Sequence, residues 1–168
     1  MTTRTLLLVR HAEAGPTPSG GTDRDRPLTP HGRAQAAAIG RLIAGGTLPE
    51  PAVAFTSSAA RARETWAVAA EAAGLAVPTF AEQALYAADL DALTDLIREL
   101  SDGVRTLAVV GHAPEIPALA RRVRDARPDG VPLLGWPPAG VGVVEVAGGW
   151  ADFPRSGRLV FARAVEPD

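Results

Sequence analysis

The stretch Thr5-Leu6-Leu7-Leu8-Val9-Arg10-His11-Ala12-Glu13-Ala14 joins a run of four apolar residues to an arginine and a histidine. The apolar run predicts a buried strand. Gly15, Pro16, Pro18, Gly20 and Gly21 then break regular structure. Arg10 and His11 therefore stand where a core strand meets a loop. In an open α/β sheet, ligands bind at the carboxyl ends of the strands. Two residues that merely cap a strand in solvent would read the same way, so this stretch alone leaves both readings open.

Working outward, residues 12–28 predict a long loop rich in Gly, Pro, Asp and Arg, in which Asp23, Arg24, Asp25 and Arg26 alternate in sign and read as solvated. Thr29 and Pro30 predict a helix start. Ala36, Ile39, Leu42 and Ile43 follow at helical spacing, and Gly45-Gly46 stops the helix. His31, in its first turn, reads as a surface residue. Val53-Ala54-Phe55-Thr56 predicts a second buried strand. It runs into Ser57-Ser58-Ala59-Ala60-Arg61-Ala62-Arg63-Glu64-Thr65, the start of a helix reaching Gly74, with Ser57 or Ser58 as its cap. Arg61 falls near the positive end of that helix, a region that suits an anion. Arg63 points away, with Glu71 or Asp23 as a solvent partner.

Val77 to Phe80 predicts a short edge strand, and residues 81–89 a connecting segment. A helix over Leu90 to Leu100 follows, with Leu93, Leu96, Ile97 and Leu100 on one face. Thr106-Leu107-Ala108-Val109-Val110 predicts a third buried strand, closing on Gly111-His112, and Glu115 to Val123 a further helix. The tail Arg121-Arg122-Val123-Arg124 reads as a solvated helix end. Residues 125–140 form a second long loop. Val141 to Val146 and Arg158 to Arg163 predict a closing hairpin. This alternation implies one three-layer α/β domain over 1–168, with a mostly parallel central sheet and helices on both faces.

Composition excludes several classes. At 168 residues, 46% of them apolar, the chain suits one domain with a real core. A net charge of −2 provides no field for nucleic acid or anionic membrane. There is no cysteine, hence no disulfide or thiol chemistry. There is no lysine, hence no Schiff base. The N-terminal apolar run is too short for a signal peptide core or a membrane span, so a cytoplasmic protein is expected.

Three predicted strand ends deliver Arg10 and His11, Ser57 and Arg61, and Gly111-His112. A parallel sheet would gather them on one rim. Two arginines and two histidines there make a pocket for a dianionic tetrahedral group, because arginine forks take phosphoryl oxygens bidentately. A neutral imidazole can attack phosphorus in line, and the second can stabilise the equatorial oxygens. No metal or cofactor is needed if these four basic groups do the neutralising.

The string Leu8-Val9-Arg10-His11-Ala12-Glu13-Ala14 resembles the Arg-His-Gly signature of the histidine phosphatase superfamily, also called phosphoglycerate mutase-like. Asp25-Arg26-Pro27-Leu28-Thr29 with Gly32 and Ala36 resembles its second block. Ser57-Ser58-Ala59-Ala60-Arg61-Ala62-Arg63-Glu64-Thr65 is similar to its Ser-x-x-x-Arg-Ala-x-x-Thr block, and Val109-Val110-Gly111-His112-Ala113-Pro114 to its Gly-His block. The short length and the lack of a cap insertion resemble the SixA-like branch. The resemblance implies a phosphoglycerate mutase-like fold, His11 as the nucleophile that becomes phosphorylated, Arg10 and Arg61 as phosphoryl-binding residues, and His112 completing the pocket. Ser57 is a further substrate-binding candidate. Ala12 stands where the family usually has glycine. The general acid is not marked. Glu82 sits near where mutase-like members carry a glutamate, without the glycine that commonly follows, and Glu13, Asp89 and Glu115 compete with it.

Other chemistries fit poorly. His11, His31 and His112 lack zinc-ligand spacing. Ser57 lacks the G-x-S-x-G elbow. No Walker A or G-x-G-x-x-G motif occurs. The expected activity is a metal-independent phosphohydrolase acting on a phosphorylated small molecule or a phosphohistidine protein. The alternatives are a phosphomutase and a non-catalytic phospho-ligand binder.

Overall fold

The computed structural model describes residues 2–129 and 135–168. Its strands are β1 (Thr3–Arg10), β2 (Val53–Ser57), β3 (Thr79–Glu82), β4 (Thr106–Gly111), β5 (Arg124–Asp125), β6 (Val141–Ala147) and β7 (Gly157–Arg163). Among the described residues they form one seven-stranded sheet in the order β3-β2-β4-β1-β6-β7-β5. The pairs β1/β4, β2/β4, β2/β3 and β5/β7 are parallel; β1/β6 and β6/β7 are antiparallel. The sheet is thus mostly parallel, as the alternation of elements predicts.

Successive side chains of a strand point to opposite faces, so the apolar run of β1 supplies two cores. Leu7 and Val9 pack with α1 (Pro30–Ala44) and α2 (Ala60–Ala73) through Ile39, Ile43, Trp66 and Ala69. Leu6 and Leu8 pack on the other side against Leu85, Leu93, Ile97, Ile116 and Trp150. These come from α3 (Gln83–Tyr86), α4 (Leu90–Arg98), α5 (Glu115–Arg121) and a 3-10 turn at Trp150–Asp152. From β1 the chain moves outward to β2 and β3 with α1 and α2 on one face. It then returns to β4, between β2 and β1, so a right-handed crossover puts α3 and α4 on the opposite face.

Thr29 caps α1 as predicted: its hydroxyl accepts the Gly32 N–H at 2.9 Å. Two glycines of α1 permit close backbone approach. A Cβ on Gly40 would lie 2.2 Å from the Ala69 carbonyl oxygen of α2, and one on Gly32 would lie 2.0 Å from the carbonyl oxygen of Glu13. The first lets α1 and α2 cross in contact; the second seats α1 on the segment that follows His11.

Several local expectations are corrected. The edge strand begins at Thr79 rather than Val77, because Pro78 has no N–H to give the ladder. The segment after it contains the helical turn α3. Helix α2 is preceded by Ala59 at the cap position with no side-chain cap, so neither Ser57 nor Ser58 caps it. Helix α5 stops at Arg121 instead of Val123. Arg122 turns back to Asp91 at 2.8 Å and to Thr94 at 3.1 Å, while Arg124 joins β5 beside β7, so that tail is not simply solvated. The loop over 12–28 carries a 3-10 turn at Asp23–Asp25 and a bridge between Ala14 and Leu28. Residues 130–134 of the second long loop lie outside the described residues. No described helix is long and apolar enough to cross a membrane.

Candidate active site

Strands β3, β2, β4 and β1 are neighbours and mutually parallel, so their carboxyl ends share one rim. Arg10 is the last residue of β1 and lies opposite Gly111, the last of β4. The His11 N–H donates to the Gly111 carbonyl at 2.8 Å, and the His11 carbonyl accepts from Ala139 N–H at 3.0 Å. Thr65 of α2 ties the segment that follows His11 to the Arg61 helix. Its hydroxyl accepts the Ala12 N–H at 3.0 Å and donates to the Arg61 carbonyl at 2.6 Å. The Ala12 side chain is fully buried.

The rings of His11 and His112 meet edge to face, 5.1 Å between centroids. His11 Nδ1 lies 2.7 Å from the Ala12 carbonyl oxygen. A carbonyl only accepts, so Nδ1 carries the proton and Nε2 keeps its lone pair. Burial lowers the His11 pKa to about 4, opposed by that hydrogen bond and reinforced by Arg61, Arg10 and Arg26. The ring is therefore neutral at pH 7, the state a nucleophile requires. His112 Nε2 lies 2.7 Å from Ser57 Oγ, and its backbone N–H donates to Glu115 at 3.1 Å. Burial, then His11 and Arg61, lower the His112 pKa to about 3. This corrects the expectation of four neutralising basic groups: of the four, only the two arginines carry charge in the resting site, and His112 is a neutral hydrogen-bonding group.

Ser57 is fully buried; its hydroxyl also accepts the Ala59 N–H at 3.2 Å, so it acts on the pocket through His112. Arg10 gives one terminal nitrogen to the Trp136 carbonyl. Arg61 gives both of its terminal nitrogens to Asp23, one to the carbonyl at 2.9 Å and one to the carboxylate at 3.2 Å. Arg10 Nε, Arg61 Nε and His112 Nδ1 are buried with no hydrogen-bond partner among the described residues. Three such nitrogens in one pocket are the donor set that an anion with several oxygens would satisfy.

The candidate acids separate by place. Glu82 ends β3 in register with Ser57, partly buried, with no hydrogen bond or ion pair among the described residues. Glu13 accepts the Thr29 hydroxyl at 2.7 Å, and Asp89 caps α4 through the Ala92 N–H at 3.0 Å. Glu115 is buried beneath His112, and burial raises its pKa. His31 is at the surface as predicted, 3.0 Å from Glu166. Asp23 is exposed as expected, but its partners are corrected: instead of Arg63, it bonds Arg61, Arg26 and Tyr86. Sequence reasoning missed Asp23, Tyr86 and Thr65 as parts of the site. Only Thr65 left a signal, as the last residue of the Ser-x-x-x-Arg-Ala-x-x-Thr block. Among the described residues, no cluster of three or more His, Asp or Glu side chains is placed to hold a metal ion.

A mostly parallel α/β sheet whose rim gathers a neutral, oriented histidine and two arginines is a site built to receive a phosphoryl group, the class of a phosphatase. Residues 6–85 match the model of the histidine phosphatase superfamily, branch 1. An uncharacterized protein of Mycobacterium tuberculosis strain H37Rv is 34% identical over 149 residues, spanning 86% of this chain and 90% of that protein. A candidate phosphohistidine phosphatase SixA from Nakamurella multipartitia has a structure matching at a TM-score of 0.82 with 31% identity, covering 98% of each chain. Another from Agrobacterium tumefaciens matches at 0.77 with 26% identity, covering 98% of this chain and 99% of that one. The chain belongs to the histidine phosphatase superfamily and is a phosphatase of its SixA-like branch.

Proposed function

We propose that residues 1–168 act as one histidine phosphatase domain that hydrolyses phosphohistidine, and phosphate monoesters more generally, through a covalent phosphohistidine on His11. The observation that carries this reading is the Nδ1 contact of His11 with its own segment's Ala12 carbonyl, which leaves Nε2 unprotonated beside Arg10 and Arg61. Nε2 attacks phosphorus in line as the bond to the leaving atom breaks. Water then attacks phosphorus in line and the P–Nε2 bond breaks, its electron pair returning to Nε2, which releases inorganic phosphate and restores neutral His11. Arg10, Arg61 and His112 hold the equatorial oxygens, and Ser57 fixes the His112 ring. No metal takes part: the arginines supply the charge that a magnesium ion would otherwise bring.

Rapid quenching with labelled p-nitrophenyl phosphate is expected to trap an acid-labile, base-stable adduct on His11. His11→Ala is expected to abolish both adduct and turnover. An active His11→Ala protein, or label on Ser57, would overturn the reading. Vanadate is expected to inhibit competitively, since its trigonal-bipyramidal form resembles the transition state. Loss of activity in EDTA restored by Mg²⁺ would refute the metal-free mechanism.

Glu82, at the open end of β3, is proposed as the general acid for basic leaving groups. An alkoxide needs a proton as it departs and a phenolate needs it less. An imidazole already protonated on its other nitrogen needs none. Glu82→Gln is therefore expected to cost about 10²-fold or more in kcat/KM on alkyl phosphates, less on aryl phosphates and little on phosphohistidine. An equal loss on all three would make Glu82 structural.

A further inference from the structure

Arg61 is the only one of the two site arginines whose fork is held by a carboxylate. Asp23 uses two of its five N–H donors, one from each terminal nitrogen, so each terminal nitrogen keeps a hydrogen for a phosphoryl oxygen. The Arg61 side chain is 9% exposed and that of Asp23 52%, so the carboxylate lies on the solvent side of the guanidinium. Tyr86 closes the same corner. Its hydroxyl donates to the same Asp23 oxygen at 3.3 Å, and its ring packs edge-on to His112, 6.1 Å between centroids. A 3-10 turn closed by Thr22 and Asp25 holds Asp23 in place. Arg24 lies over the Tyr86 ring and bonds Gln83, and Arg26 bonds the Gly15 carbonyl as well as Asp23. Arg24 is thus engaged with other groups, while Arg26 divides its guanidinium between the Gly15 carbonyl and Asp23.

In an in-line transfer the leaving group points away from the nucleophile. The rest of the donor must project from the phosphoryl site toward solvent, and Asp23, half exposed beside buried Arg61, stands on that side. We propose that Asp23 is a specificity-determining residue that favours phosphoryl donors whose leaving group is cationic or neutral over those carrying a second anionic group. The proposal rests on the reading of His11 as nucleophile and sharpens its substrate class. Burial alone would raise the Asp23 pKa, but Arg61, with hydrogen bonds from Arg61, Arg26 and Tyr86, holds it below the usual carboxylate range. Asp23 is therefore an anion at working pH. With both histidines neutral, the three charged groups placed to meet the donor directly, Arg10, Arg61 and Asp23, sum to one net positive charge. A phosphoryl dianion attached to a protonated imidazole carries one net negative charge and matches it. The carboxylate favours the ring's protonated form, so as the P–N bond breaks its electron pair stays on nitrogen and neutral imidazole departs. A phosphoglycerate brings a further carboxylate toward Asp23 instead.

Two unit charges about 6 Å apart at an intermediate effective dielectric of about 40 interact strongly enough for about a tenfold effect. The experiment compares wild type, Asp23→Asn and Asp23→Glu on 3-phosphohistidine, p-nitrophenyl phosphate and 3-phosphoglycerate. Asp23→Asn is expected to lower the ratio of kcat/KM for phosphohistidine to that for phosphoglycerate about tenfold. Asp23→Glu is expected to retain the wild-type preference. Raising salt should narrow the preference in wild type and not in Asp23→Asn, which keeps the test available should one variant fold poorly. An equal change on all three substrates, or a wild-type preference for phosphoglycerate, would overturn the proposal. A wild-type protein that forms the His11 adduct with p-nitrophenyl phosphate, yet shows an Asp23-independent ratio, refutes the Asp23 role alone. Absence of the adduct refutes the nucleophile itself.

Discussion

His11 and His112 differ in what their nitrogens touch, and this sets what each can do. His11 donates from Nδ1 to a backbone carbonyl; His112 meets a serine hydroxyl through Nε2. Both are kept neutral by burial, with pKa values near 4 and 3. An NMR titration of their ring protons is therefore expected to show neither titrating near 6.5, and both values rising when vanadate occupies the pocket. Either ring titrating near 6.5 in the free protein would contradict the burial account. The same shifts have a stability sign. Between pH 6.5 and about 4, the unfolded chain binds protons that the folded chain refuses, so stability is full above 6.5 and falls as pH drops through that window. Replacing His112 by Gln is expected to flatten that slope in denaturant titrations at successive pH values. Thr65 is the other decisive residue. Thr65→Val leaves the buried Ala12 N–H without a partner, which costs about 1–3 kcal/mol. It is expected to lower kcat as well, because the same hydroxyl holds the segment carrying His11. Thr65→Ser should restore both.

At the scale of elements, α1 separates stability from activity. Gly40 and Gly32 both touch backbone so closely that a Cβ cannot fit without movement. Gly40→Ala strikes α2 at the Ala69 carbonyl, within the helix layer. Gly32→Ala strikes the Glu13 carbonyl, two residues after His11. Overpacking of this kind costs about 1–3 kcal/mol. Both variants are expected to melt at lower temperature. Only Gly32→Ala should also lose kcat in the fraction that remains folded. Equal kcat values for the two would show that α1 does not position the His11 segment.

Across the whole molecule, the two ends of the sheet do different work. The carboxyl ends of β1 to β4 carry the pocket, while β6 runs antiparallel beside β1, and β7, antiparallel to β6 in turn, extends the sheet under its second core. At the opposite end Arg4, almost wholly buried, donates to the Gly148 carbonyl and to both the carbonyl and carboxylate of Asp102. It fastens the turn before β4 to the turn after β6. Arg4→Met is expected to cost about 1–3 kcal/mol by leaving those carbonyls unpaired. Its kcat should stay at the wild-type value, since β1 separates it from His11. Urea unfolding beside steady-state kinetics checks both halves, and a lowered kcat would mean that the two ends are coupled.

The layers, and the gathering of Arg10, His11, Arg61 and His112 on one rim, were legible in the linear chain because both are written locally. Apolar runs such as Leu6 to Val9 state a buried strand, Thr29-Pro30 states a helix start, and each reactive residue lies within a few positions of a strand end. Even the choice of core was implicit in the alternation of β1. Folding alone settled the electrical state of the pocket. A histidine's charge depends on what surrounds it in space, and the burial that neutralises His11 and His112 comes from segments more than fifty residues apart in some cases, such as Ser57 and His112. Asp23 shows the same limit. In sequence it is one sign in an alternating run, indistinguishable from Asp25. The backbone turn at 23–25 aims one carboxylate at Arg61 and leaves the other to close the turn through Thr22. Which of two neighbouring aspartates guards the pocket is a matter of direction, and direction is set by tertiary contacts that no local pattern of residues contains.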